Sequence, residues 1–413
     1  MHISHLSLTN FRNYRRFESE LPAGSLILVG RNAQGKTSLL EAVYYLAGAH
    51  SPHAGSDRQL INWLAVRTDP HPFLKIVAEV QTADELRKVD IRLELDEVGP
   101  ARDLRLRKSI YVNGVKKRVV DLSGVVNAVL FLPQDMALVE GPPSARRRYL
   151  DATICQVDPV YCLALSEYGK ILPQRNALLK SFQERNGNGN LSAGDESQLR
   201  FWDEQLCRHG AILIGRRARA IEEIELHATP VHRDLTQTAE HLRLAYQPAY
   251  DPVAPQGEQL VLGLDVPVTR ARLSEEEIGA GMQARLRELR ADEVARGATL
   301  IGPHRDELRF VASGVDLGVY GSRGQGRTAV LALKLAELAW MRDRSGEWPI
   351  LLLDEVLAEL DAHRRRDLLH RIDGVEQVLL STANLDLFSA SFRRQTRVWE
   401  VNGGTIRPMT NDQ

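Results

Sequence analysis

Gly30, Gly35, Lys36 and Thr37 stand in the spacing G-x4-G-K-T. Glycines at those places let the backbone curl so that successive N–H groups face one anion. A lysine at the end of such a loop carries its charge to the outer phosphates of a triphosphate. The neighbouring threonine hydroxyl suits Mg²⁺. "SLILVG" before the loop reads as a strand and "SLLEAVYYLAG" after it as a helix, whose N-terminal end adds a positive field. The stretch Gly30, Arg31, Asn32, Ala33, Gln34, Gly35, Lys36, Thr37 and Ser38 is therefore expected to hold nucleotide phosphates. Much later, "LLLDEV" ends an apolar run in two carboxylates. Asp354 there is expected to serve the Mg²⁺ shell with Thr37. Glu355 is expected to polarise an attacking water as general base, with Lys36 as its catalytic companion.

A second glycine loop, Ser322-Arg323-Gly324-Gln325, opens a helix expected from about Thr328. Its N–H groups, the Ser322 hydroxyl and the helix dipole make an anion site. It has no lysine and follows no buried strand, so it is not a second phosphate loop. "AELD" places Asp361 shortly after Asp354. A phosphate loop, S-x-G-Q, a strand ending in Asp-Glu and then xxLD, in that order, resembles the ABC-type ATPases. The resemblance implies that Ser322, Gly324 and Gln325 of one copy close on the phosphates held by another.

These residues need a frame. Residues 3–9 and 25–30 read as strands. Residues 74–95 and 105–113 alternate apolar and polar, with Asn113–Gly114 as a hairpin turn, giving an antiparallel layer over about 72–120. From about 149 to 296 helical periodicity dominates without sustained heptads. The polar, glycine-rich stretch 183–198 reads as a solvated loop, and 247–259 as a proline-marked connector. After Gly302 the α/β pattern returns: "WPILLLDEV" and "VEQVLLST" read as strands and "RVWEVNGGTIRPM" as a closing hairpin. The expected architecture is an α/β head formed by residues 1–148 and 297–413, with a helical lobe, 149–296, inserted.

Composition narrows the function classes. The 413 residues exceed one ordinary core. The balance of 53 basic and 54 acidic side chains gives no global pull on nucleic acid, so any such contact needs a local patch. Candidates are Lys116, Lys117 and Arg118 after the hairpin and Arg146, Arg147 and Arg148, whose place before a helix with Leu150 gives a tie between lobe and head as the alternative. Cys155, Cys162 and Cys207 form no CxxC pair and suit a reducing compartment. No apolar run is long enough to span a bilayer and no signal peptide opens the chain, so a cytoplasmic protein without membrane partners is expected.

Several further stretches narrow the resemblance: "LTNFRNY", "GRNAQGKTSLLEAVYYLAG", "FLPQDMALVEGPPSARRRYLD", "QRNALLK", "IGPHRDEL", "GSRGQGRTAVLALKLAELA" and "LLLDEVLAELD". Together they resemble the RecF family of bacterial recombinational-repair ATPases, whose heads are like those of SMC proteins. This implies ATP and Mg²⁺ as ligands and ATP-dependent homodimerisation. It implies DNA binding at single-/double-strand gaps, slow DNA-stimulated hydrolysis as a reset, and action with RecR and RecO in loading RecA. Roles in replication and the SOS response are implied too. By position, Arg12 matches an SMC-type arginine near the nucleotide and Gln134 a glutamine lever. Asp361 matches a residue that communicates across the dimer. The histidine many ABC ATPases place after the next strand is absent, with Thr382 and Asn384 in that region. A transporter's nucleotide-binding subunit is the alternative, disfavoured by the long spacing between Gly30 and Ser322. A P-loop kinase would leave S-x-G-Q and "AELD" unused.

Overall fold

The computed structural model describes residues 1–98, 103–186, 191–238, 240–253 and 270–409. It divides into two compact units, Met1–Asp135 with Glu337–Gln413, and Met136–Ala336.

Among its described residues the first unit has two six-stranded sheets. One is antiparallel, with the strand order Tyr14–Glu20, His2–Phe11, Phe73–Gln81, Leu86–Val98, Asp103–Val112, Val115–Lys117. The expected 74–95 segment is thus two strands, broken where Thr82 accepts from and donates to Glu85. Asn113 and Gly114 make the expected hairpin with φ of 50° and 78°, the left-handed pair a two-residue turn needs. Tyr14–Glu20 escapes an apolar-pattern reading because four of its seven residues are charged and only Tyr14 and Phe17 are buried.

The other sheet runs Thr405–Pro408, Arg397–Asn402, Gly24–Val29, Gln377–Thr382, Ile350–Asp354, Ala128–Phe131. All neighbours are parallel except the closing hairpin. Continuous apolar runs such as "ILLLD", buried throughout, mark strands covered on both faces. Register sets where these strands end. Thr382 pairs with Val29 and Asp354 with Ser381, so three neighbouring strands finish at one edge. Ligands of open parallel sheets bind beyond such carboxyl ends.

The second unit is helical around a small sheet. Helices Pro143–Val157, Pro159–Asn186, Ala193–Thr236, Glu275–Glu288 and Arg290–Arg296 carry it. The unit is wider than 149–296. Strand Leu242–Gln247, which lies within the stretch expected to be helical, pairs with Glu307–Ala312 and draws later chain into the same body. Ion pairs of two buried arginines fasten it: Arg217 with the half-buried Asp151 and with Asp306, and Arg175 with Asp203 and Glu293. Charges taken out of water in this way need such partners on every side.

Two expectations are corrected here. Most of 183–198 is helix, not loop. Ser192 and Asp195 form a reciprocal cap that starts the 44-residue helix Ala193–Thr236 where composition alone suggests coil. Residues 187–190 lie outside the described residues, as do 254–259 of the expected connector. The helix expected from Thr328 begins at Arg323, because Ser322 and Gln325 cap it. Among the described residues, no helix is long and apolar enough to cross a membrane.

Candidate nucleotide site

Gly30 leaves strand Gly24–Val29 directly under the chain at Val401. A Cβ on Gly30 would lie 2.3 Å from the Val401 carbonyl oxygen, so only glycine fits. Gly35 turns the loop into helix Lys36–Gly48 with φ of 116°, and its outer side is filled by the Asn13 amide. The loop is braced from outside. Gln34 accepts from the Gly403 and Gly404 N–H groups and from Asn13 Nδ2, and the Tyr14 hydroxyl donates to the Gly35 carbonyl. Arg31, Asn32 and Ala33 form the exposed tip.

Sheet register brings the distant carboxylates to this loop. Thr37 Oγ1 lies 2.9 Å from both oxygens of Asp354. Lys36 Nζ donates to the Gly30 and Arg31 carbonyls and pairs with Glu355 at 3.0 Å. Glu355 adopts a left-handed backbone, φ 54°, a strained state for a non-glycine residue. Ser381 holds it there. The Glu355 N–H donates to the Ser381 carbonyl and hydroxyl oxygens, while that hydroxyl donates to Asp354 at 2.6 Å. The Glu355 carboxylate also accepts from Ala383 N–H. Thus the loop, Thr37, Asp354 and Glu355 form one cluster.

A cavity of ≈ 360 Å³ opens on the loop, lined by Arg12, Asn13, Gly35, Lys36, Thr37 and Trp63 among others. Arg12 reaches the cavity wall, yet its guanidinium is engaged by protein. Nε and Nη2 grip the carboxylate of the buried Glu41, and Nη1 donates to the Gln59 carbonyl. Asn13 Oδ1 is buried at this wall and has no partner among the described residues.

The donors fit a triphosphate with Mg²⁺. Gly35, Lys36, Thr37 and Ser38 line one cavity and can offer it N–H groups, an ammonium and a hydroxyl. One carboxylate beside a hydroxyl is the sparse protein contribution typical of a Mg²⁺ that also binds phosphate oxygens and water.

The remaining expected residues have other surroundings. Gln134 is exposed, and its amide contacts His53 Nδ1 at 2.9 Å. Asp361 caps helix Ala362–Arg371, accepting from His363 and Arg364 N–H. Those bonds and the Arg364 charge hold its carboxyl below the usual range. Ser322, Gly324 and Gln325 belong to the second unit and are exposed. Ser322 Oγ accepts from Gln325 N–H and Gln325 Oε1 from Ser322 N–H, so S-x-G-Q is here a reciprocal helix cap.

Of the basic candidates, Lys116 and Lys117 are exposed on strand Val115–Lys117. Arg118 is exposed but bound to Asp121, whose carboxyl it pulls down to about 2. Arg146 departs from the expectation of a DNA contact. It is buried, paired with Glu307 at 2.6 Å and donating to the Leu138 and Gly141 carbonyls, so it is not offered to a DNA phosphate. Arg147, half-buried, donates to the Asp306 carbonyl, and Arg148 is exposed. Sequence reasoning misses Ser381, Glu41, Asn13 and Trp63, which only the fold brings to this place.

A family model described as the RecF/RecN/SMC N terminal domain matches residues 2–407. The chain belongs to the RecF family. It is 40% identical over 98% of its length to the DNA replication and repair protein RecF of Chloroflexus aurantiacus, covering 99% of that protein. It is 39% identical to the RecF of Roseiflexus castenholzii over 99% of this chain and all of that one. Among solved structures, it is similar to the recombination mediator protein RecF with ATP in the RecFOR pathway. The TM-score there is 0.80, with 27% identity, over 99% of this chain and 97% of that one. This RecF-family chain therefore has the ABC-like P-loop ATPase fold and is kin to DNA replication and repair proteins.

Proposed function

We propose that the chain is an ATP-switched DNA-binding protein of recombinational repair and replication restart. Two copies associate on ATP and release when it is hydrolysed. The observation that carries this reading is the 2.9 Å approach of Thr37 to Asp354, which joins the phosphate loop to the metal and water carboxylates.

In this reading the Gly30–Ser38 loop N–H groups and Lys36 hold the phosphates, while Thr37 and Asp354 hold Mg²⁺. When bound, Mg²⁺ supplies charge neutralisation at the phosphate oxygens. Glu355, fixed by Ser381 and Ala383, orients and deprotonates the attacking water. Lys36 passes from Glu355 and the loop carbonyls to the phosphates, freeing that carboxylate. Arg12 shapes the wall through Glu41, and Gln134 and Asp361 respond to the bound state from outside the cavity.

Ser322 and Gly324 act on the phosphates held by the partner copy. Gly324 supports this. A Cβ there would meet nothing closer than Ser322 Oγ at 3.9 Å, and its φ is not left-handed. The open side of Gly324 leaves room for a phosphate of the partner copy to approach its backbone.

Lys116 and Lys117 are the DNA-phosphate contacts of this reading, with RecR, RecO and RecA as pathway partners at gapped DNA in the cytoplasm and in the SOS response. DNA affinity, measured by fluorescence anisotropy with and without ATP, tests it. ATP is expected to raise affinity for gapped DNA in the wild type and not in Lys36→Arg. Equal affinity with and without ATP in the wild type would refute the switch.

A further inference from the structure

Of the chain's five tryptophans, Trp63 is the exposed one, at 61%. It lines the same cavity as Lys36 and Thr37. Most of its ring buries nothing within the chain, so its place is not explained by core packing.

Its position is nevertheless closely fixed. Asn62, buried, accepts from the Leu64 and Ala65 N–H groups and donates through Nδ2 to the Arg12 carbonyl at 2.6 Å. Asn62 N–H donates to Asn10, and Arg12 N–H to Leu60. Ile61 bridges to Phe11. The 60–63 stretch is thus stitched to the end of strand His2–Phe11, and the chain just beyond that strand supplies Arg12 and Asn13 to the cavity. The Arg67 guanidinium lies 5.9 Å from the Trp63 ring centre. A cation over one face of an indole leaves the other for a flat partner.

We propose that Trp63 is the base platform of this site: the purine of the nucleotide stacks on its open face, beside Ile61, while the phosphates lie on the Gly30–Ser38 loop. The inference rests on the nucleotide reading above. Stacking tolerates any base because every base has a π-face, and a purine offers more area than a pyrimidine. Trp63 therefore favours purine over pyrimidine triphosphates and separates ATP from GTP only weakly.

Calorimetric titration of the full chain with Mg-ATP, Mg-CTP and Mg-tripolyphosphate tests this, using wild type, Trp63→Ala, Trp63→Phe and Lys36→Ala. Trp63→Ala is expected to weaken ATP roughly tenfold. It should leave tripolyphosphate unchanged, which also reports an intact fold, and remove the preference for ATP over CTP. Trp63→Phe should stay within about threefold of wild type for ATP. Wild-type ATP affinity in Trp63→Ala overturns the proposal, as does an equal loss of ATP and tripolyphosphate. So does a variant that loses DNA affinity while keeping that for ATP. If Lys36→Ala binds ATP as well as wild type, the phosphate-site reading itself fails and takes this proposal with it.

Discussion

Thr37 and Asp354, 317 positions apart in sequence, share one short contact: the threonine hydroxyl lies 2.9 Å from each carboxylate oxygen. The carboxylate also takes the Ser381 hydroxyl at 2.6 Å. Ser381→Ala should therefore loosen Asp354 and the strained Glu355 backbone together. We expect hydrolysis to fall at least tenfold while ATP affinity stays within about threefold, since Lys36 and the loop are untouched. Single-turnover hydrolysis against equilibrium ATP binding distinguishes this from general loss of fold. Asp354→Asn should instead raise the Mg²⁺ concentration needed for half-maximal activity.

Arg12 and Glu41 make a bidentate pair in which Glu41 is 2% exposed. Removing one member of a buried pair leaves the other uncompensated. Arg12→Ala should cost about 2 kcal/mol in urea unfolding, and Glu41→Gln added to it should recover much of that. An undiminished stability for Arg12→Ala would show that its bond to Glu41 is not structural.

Lys116 and Lys117 differ from Arg146 in what surrounds them, and DNA binding should separate them. Lys116→Ala with Lys117→Ala is expected to weaken DNA binding at all sequences and lower the salt slope by about 2. Arg146→Ala should leave the slope unchanged and instead destabilise the second unit by about 3 kcal/mol, since Glu307 then loses its partner. A lowered slope with normal stability for Arg146→Ala would reverse this assignment.

His304 gives a pH dependence. Its Nδ1 meets the Tyr168 hydroxyl at 2.7 Å, and its Nε2 is buried without a partner among the described residues. Burial, with the Arg305 charge second, pushes its pKa down to about 4, below the unfolded value of about 6.5. Between these values the unfolded chain holds a proton that the folded chain lacks. The stabilisation is present above pH 6.5 and is lost as pH falls toward 4. Urea unfolding across that window should show a smaller acid loss for His304→Gln than for wild type. Equal slopes would remove His304 from the acid response.

The head of this fold is legible because its signals are local. The phosphate loop, the apolar strand before Asp354 and the Asn113–Gly114 turn each depend on a few adjacent residues. The helix start at Arg323 and the Ala193–Thr236 helix are misread from composition because serine caps outweigh glycine-rich character, and caps act over four residues that also read as a turn. Strand Leu242–Gln247 is hidden inside a helical stretch and needs its partner Glu307–Ala312 to be seen. Ser381, Glu41 and Trp63 carry no motif. Ser381 becomes visible through parallel register with Asp354, and Arg146 changes meaning once Glu307 is seen beside it.

In the proposed function, ATP joins two copies through Ser322. Sedimentation velocity of wild type and Ser322→Arg, with Mg-ATP at concentrations that saturate both, reads this association. Both proteins should bind ATP, wild type should sediment as a dimer, and Ser322→Arg should remain a monomer without hydrolysis. A Ser322→Arg protein that dimerises and hydrolyses ATP like wild type would contradict it.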